Sequence, residues 1–248
     1  MASQEQTRPH TVSAYEEELT KINNSILQLG GLVEVQISDA VRAIARRDSE
    51  RAEAVIAQDH RIDDLEEQVN TDAVRVLALR QPMASDLRVI VSAIKIAGDL
   101  ERIGDYAKNI SKRTLVINQS PPISSSRAIP RMAELVQAML ADVLTSYVDL
   151  DSAKARQVWM ADQEVDELYN SLFRELLTYM MEDPRNITAA THLLFIAKNI
   201  ERMGDLVTNI AERIFFTDTG NQIEDERPKA DNTSYTDAEG ETVDNGVS

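Results

Sequence analysis

The 248-residue chain contains no cysteine. Disulfides, thiolate zinc sites and cysteine nucleophiles are therefore excluded. Aromatic residues make up only 4% and glycine occurs 8 times, while Ala, Leu, Ile and Val abound. That balance suits long packed helices better than sheets, which draw on aromatic and β-branched side chains. Histidine occurs only as His10, His60 and His192, so imidazole chemistry has little to work with. No run of about 18 apolar residues exists, and the polar start MASQEQTRPH has no signal-peptide hydrophobic region. The expectation is a cytoplasmic protein with no direct membrane insertion. Positive charge is scarce as well. A formal charge of −16 argues against nucleic acid, which needs dense Lys and Arg to release counterions, and against attachment to anionic lipid.

The acidity is uneven. Residues 218–248 hold nine acidic side chains against Arg227 and Lys229, with almost nothing apolar, and read as a disordered acidic tail. The rest has ample apolar material for a core, with 43% hydrophobic residues in the whole chain.

One helix segment is written twice. Residues 96–113 read IAGDLERIGDYAKNISKR and residues 196–213 read IAKNIERMGDLVTNIAER, with nine of eighteen positions identical. The shared kernel is Glu-Arg-x-Gly-Asp-x-x-x-Asn-Ile, from Glu101 to Ile110 and from Glu201 to Ile210. A repeat of this length means two copies of one supersecondary unit.

Apolar residues at spacings of three and four from Tyr15 to about Asp48 predict a first long helix. Asp48-Ser49-Glu50 breaks the stripe and caps a second helix running to Arg80, which Gln81-Pro82 ends. A third helix, from near Met83 to about Val116, carries the first kernel. Paired prolines and serines make 118–126 a linker. The pattern then repeats, with helices from about Ala128 to Asp149, Ser152 to Glu182 and Arg185 to Phe216. The predicted fold is all-α: two tandem pseudo-symmetric three-helix bundles of six long antiparallel helices, over 12–117 and 127–217, followed by the tail at 218–248.

Glu101 and Asp105 are neighbours on one helix face, as are Glu201 and Asp205. The apolar stripe Ile96, Leu100, Ile103, Ala107 and Ile110 falls nearly opposite, so both acid pairs are expected to face outward. Packing explains repeated apolar residues but does not demand repeated exposed acids. Gly104 and Gly204 each precede the Asp, and a mid-helix glycine costs roughly 1 kcal/mol relative to alanine unless something approaches the backbone closely. The second helix of each half adds a matching pair, Asp59 with Asp63 and Asp162 with Asp166. Four carboxylates meeting in each half would repel one another unless cations, protons or Arg102 and Arg202 intervene. Oxygen-only donors suit iron(III), Mn, Mg or Ca, with zinc reachable through carboxylates. The plainer reading of any one pair is a solvated acidic face; the doubled correspondence and paired glycines point to metal. No Glu-x-x-His, Gly-rich phosphate loop or Ser-His-Asp arrangement is visible, so no enzyme is expected. His60 reads as solvated, His192 as a hydrogen-bonded boundary residue and Trp159 as core.

At these residues the chain resembles the PhoU family, the accessory regulators of bacterial phosphate-specific transport. The resemblance spans about residues 12–216. Its carriers are Arg-Gln-Pro-x-Ala-Ser-Asp-Leu-Arg at 80–88, Glu101-Arg-Ile-Gly-Asp105, Glu201-Arg-Met-Gly-Asp205 and the two earlier Asp pairs. It implies a multinuclear iron or zinc cluster on the bundle surface, held by Glu101, Asp105, Glu201 and Asp205 with Asp59, Asp63, Asp162 and Asp166. One departure is Leu206, where second copies in the family often have histidine. The resemblance also implies a negative regulator of phosphate uptake and of the phosphate-starvation response. Its implied partners are the cytoplasmic side of the phosphate ABC transporter and a sensor histidine kinase, with a homodimer as the usual assembly. A carboxylate-ligated metal store or metal-dependent enzyme is the competing class.

Overall fold

The computed structural model describes residues 8–121 and 128–224; most of the predicted linker and tail lies outside them. Helices α1 (Arg8–Arg46), α2 (Ser49–Gln58), α3 (His60–Arg80) and α4 (Ser85–Ile117) form the first half. Helices α5 (Ala128–Asp149), α6 (Ser152–Glu182) and α7 (Ile187–Thr219) form the second, with a 3₁₀ turn at Pro184–Asn186 before α7. Among the described residues there are no strands. The predicted second helix is interrupted once. Asp59 keeps right-handed helical geometry, but its carbonyl accepts from Ile62 N at 2.8 Å, so one turn tightens and α2 and α3 remain a single rod.

The duplication extends to the corners. Arg47 and Leu150 end α1 and α5 in left-handed geometry, with φ of 55° and 49°. The next residues, Asp48 and Asp151, send their N–H back to the carbonyls of Ala43 and Ser146, closing the helix end. Their carboxylates then cap the following helix, accepting from Arg51 N at 3.0 Å and Lys154 N at 2.9 Å. Ion pairs Asp39–Arg51 and Asp142–Lys154 brace both corners. Every member of this device recurs 103 residues later.

Successive rods within each half are antiparallel. Lys21–Asp72 and Glu18–Arg80 tie α1 to α3, and Arg131–Glu164 with Asp142–Lys154 tie α5 to α6. The halves join chiefly where α4 packs on α7, with a second contact of α1 on α5. Arg213 pairs with Asp99 at 2.8 Å, Thr217 donates to Ser92 at 2.7 Å, and Arg113 meets His192 at 3.4 Å, so α4 and α7 also run in opposite directions. Tyr147 donates to Asn23 at 2.7 Å across the α1–α5 seam. One continuous core results, with Ile26, Leu29, Leu100 and Ile103 packed into the same cluster as Met132, Leu140, Ile200 and Met203. Each such side chain contributes roughly 1.5–3 kcal/mol by leaving water.

This arrangement corrects the expectation of outward-facing acids. The kernel helices are central. α4 lies against α1, α2, α3 and α7, and α7 lies against α4, α5 and α6. Each is therefore buried well beyond one stripe, and α4 covers Asp99 and Ser111 as well as its apolar residues. Asp59, Asp162, Asp166 and Glu201 are only 3%, 1%, 2% and 4% exposed. Glu101, Asp105 and Asp205 are half-buried, and Asp63 alone of the eight is exposed. A single apolar stripe implies a helix with one packed side; these helices have more than one.

Candidate functional site

The antiparallel crossing of α2–α3 on α4 brings the first-half acids together. Lys108, one turn past Asp105, places Nζ 2.5 Å from Asp59 Oδ2 and 3.2 Å from Asp105 Oδ1. Gln36 on α1 donates to Asp59 Oδ1 at 2.9 Å. Glu101 is held above the ordinary carboxylate range, first by burial and then by repulsion from Asp105, Asp63, Glu66 and Asp59. Asp63, though exposed overall, is raised too, by partial desolvation of its carboxylate against the helix crossing and by Asp59 and Asp105, with Lys108 acting in the opposite sense. The ammonium of Lys108 is held well above its usual value, chiefly by its hydrogen bond to Asp59. All four predicted acids of this half thus act on one another across the helix boundary.

Gly104 sits where the helices approach. A Cβ there would lie 2.9 Å from Ile62 Cδ1 and 3.0 Å from Gln36 Oε1. Gly204 is tighter, since its Cβ would lie 2.5 Å from Asp162 Oδ1. Both glycines admit a neighbouring side chain, which accounts for their place in mid-helix. In the second half Asp162 thereby rests on the kernel of α7 itself, at Gly204. Asp166 is buried one turn further along α6. Lys198 pairs with Glu201 at 2.9 Å and lies 4.9 Å from the centre of the Tyr169 ring.

Gln36 and Glu66 are members of the first cluster that the sequence reading missed. Glu66 follows Asp63 by three residues and so shares its face, a signal available in the sequence. Gln36 is a polar residue inside the apolar run of α1, a weaker signal. Of the other residues singled out, His60 is exposed and Trp159 is buried, donating to Glu212 at 2.9 Å. His192 is half-buried beside Arg113, and burial with that neighbouring charge lowers its pKa. In the 80–88 run, Arg80 pairs with Glu18 at 2.9 Å, and the Arg88 guanidinium comes within 3.6 Å of where a Cβ on Gly220 would stand.

The donors in both clusters are oxygen, the chemistry of hard-cation ligation, and the repulsion raising Glu101 and Asp63 is what a bound cation relieves. As the side chains stand, however, no group of three or more Asp, Glu or His residues among those described is arranged to hold a metal ion.

The sequence matches the PhoU domain twice, over residues 26–114 and 129–214, and each match contains one kernel. The chain belongs to the PhoU family. It is 53% identical over 223 residues to a phosphate-specific transport system accessory protein PhoU homolog of Caulobacter vibrioides strain NA1000, covering 90% of this chain and 97% of that one. A homolog of the same name from Rhizobium meliloti is 50% identical over 226 residues, covering 91% and 95%. The crystal structure of PhoU from Pseudomonas aeruginosa superposes with a TM-score of 0.80 at 37% identity, over 84% of this chain and all of that chain. The six-rod architecture is thus that of a solved PhoU protein. Among the described residues, no helix is long and apolar enough to cross a membrane.

Proposed function

We propose that this PhoU protein is an accessory regulator of phosphate-specific transport, damping phosphate uptake and keeping the phosphate-starvation two-component response off when phosphate is plentiful. The observation that carries the reading is the PhoU domain matched in both halves, together with near full-length relatives named as accessory proteins of that transport system. Regulation would proceed through protein contacts, with the cytoplasmic side of the phosphate ABC transporter and a sensor histidine kinase as partners and a homodimer as the working assembly. Long helical rods offer grooves in which partner helices or loops bury apolar surface. A net charge of −16 favours basic partner faces and makes encounter weaken with salt. Affinity capture of the tagged chain from cells in high phosphate should recover transporter or kinase subunits; recovery of neither contradicts the reading.

We further propose that the two carboxylate clusters bind a metal cluster, of iron or zinc first and of Mn, Mg or Ca otherwise, with Glu101, Asp105, Asp59 and Asp63 in one half and Glu201, Asp205, Asp162 and Asp166 in the other. The support is that the oxygen donors recur in both halves, and that in the first half Glu101 and Asp63 are raised by burial and by neighbouring carboxylates. Elemental analysis and calorimetry should show uptake by the wild type that is lost when Glu101, Asp105, Glu201 and Asp205 all become Ala. Equal uptake by that quadruple variant would contradict the assignment. Metal-stripped protein that keeps its partners would separate an adaptor from a metal-dependent enzyme.

A further inference from the structure

Past α7 the chain turns back over α4. Gly220, at φ 74°, closes the helix beside the Arg88 guanidinium. Three residues on, Ile223 borders a groove that Val91 and Lys95 line from α4 and Arg213 and Phe216 from α7. Val91 and Lys95 lie about one and two turns beyond Arg88, so at Glu224 the chain is already running along α4 towards Arg102. The groove holds about 390 Å³, within the range of sites that seat a ligand. Val91 is 36% and Phe216 37% exposed, so both offer apolar area to an occupant.

The groove and the helix faces that continue it are basic, in a chain of net charge −16. Arg102 follows Lys95 by seven residues on the same face of α4, and Arg202 precedes Asn209, another lining residue, by seven on α7. Lys95, Arg102 and Arg202 are exposed, and among the described residues no carboxylate pairs with them. Arg213 is already matched by Asp99, and Glu212, the acid of the lining, accepts from the Trp159 indole. Residues 225–248 carry the opposite charge, with seven acidic side chains against Arg227 and Lys229, and every charge after Lys229 is negative. An extended chain spans about 3.3 Å or more per residue, so this segment outreaches the roughly 10 Å from Lys95 to Arg102 along α4 several times over.

We infer that residues 225–248 dock along the α4–α7 groove of their own chain, with carboxylates against Lys95, Arg102 and Arg202 and with Tyr235 against Val91 and Phe216. The segment is tethered at the mouth of the groove, so a contact of low intrinsic affinity is enough to fill it. So placed, it screens a basic and partly apolar strip from acidic partners and from other copies of this acidic chain.

The chain has no cysteine, so A238C in the full chain takes a single nitroxide label. Paramagnetic broadening of backbone amide signals in isotope-enriched protein then reads which surface the label visits. Signals from residues 91–102 and 202–216 should weaken at least twofold, while those of α1 keep their intensity. Raising salt from about 0.1 M to about 1 M shortens the screening length from about 10 Å to about 3 Å and should remove most of the effect. The broadening should also vanish in D237N/E239Q/E241Q/D244N, which alters nothing within the bundles, and in K95Q/R102Q/R202Q. If K95Q/R102Q/R202Q fails to give a folded amide spectrum, the variant of residues 237–244 decides alone. Broadening spread evenly over the surface or centred elsewhere overturns the inference, as does its persistence in D237N/E239Q/E241Q/D244N. Broadening of enriched, label-free chain by added labelled chain would mean that a second copy supplies the segment, which overturns docking within one chain.

Discussion

Gly204 and Gly98 make a controlled comparison of what a mid-helix glycine does. A Cβ on Gly204 would meet Asp162 Oδ1 at 2.5 Å, whereas one on Gly98 meets nothing within 4 Å. Alanine gains about 0.5–1 kcal/mol of helix propensity at either site, but overpacking costs about 1–3 kcal/mol. G98A is therefore predicted to stabilise by up to about 1 kcal/mol and G204A to destabilise by about 1–2 kcal/mol, read from denaturant midpoints at constant slope. The repeated kernel glycine, with its hint of close approach, was legible in the sequence; what approaches was not, because that depends on which helix crosses. Glu101 gives a pH test. Its folded-state pKa is raised by burial and by Asp105, Asp63, Glu66 and Asp59, so the native state binds more protons than the unfolded chain. Stability from this group accordingly falls as pH rises from the ordinary carboxylate value through the raised one, and the cost is fully present above it. E101Q removes a like-charge neighbour and should raise Tm by about 1–2 °C at pH 7. The gain should shrink as pH falls through the raised pKa of Glu101 and be gone below about 4, where the unfolded carboxyl is protonated as well. A gain that grows on acidification contradicts the repulsive cluster.

At the scale of the element, the helix ends are set by chemistry that recurs across the duplication. Asp48 and Asp151 each cap the next helix by accepting an N–H three residues on. D48A and D151A should each cost about 1 kcal/mol, measured by thermal or denaturant unfolding, and a null effect at both would mean that the Asp39–Arg51 and Asp142–Lys154 pairs hold the corners alone. Helix existence, order and most ends were readable from periodicity, from Asp-Ser at 48–49 and 151–152, and from Pro82 and Pro184. The tightened turn at Asp59 was not, since no glycine or proline marks it and its backbone stays helical. The direction of the acids was also misread. Charge at a helix position suggests solvent, yet Glu201 is only 4% exposed because α7 packs against α4, α5 and α6, neighbours that only the packed fold reveals.

For the whole molecule, the seam between the halves is the feature that local periodicity conveys least. Asp99 is almost fully buried against Arg213 at 2.8 Å, a pairing 114 residues apart along the chain. R213A should strand that carboxylate and destabilise the protein by about 3 kcal/mol, while the double variant D99N/R213M should recover part of the loss. Recovery links the cost to an uncompensated charge rather than to lost packing. Residues 225–248 fall outside both matched PhoU domains, and α7 closes at Gly220 beside Arg88. A chain ending at Glu224 is therefore expected to keep its function. The measurement that tests the account most directly is expression of a phosphate-starvation reporter in high phosphate, in a strain deleted for this gene and then complemented. Expression should be high in the deletion and low again with either the full chain or the one ending at Glu224. A deletion strain that stays fully repressed would contradict the regulatory function.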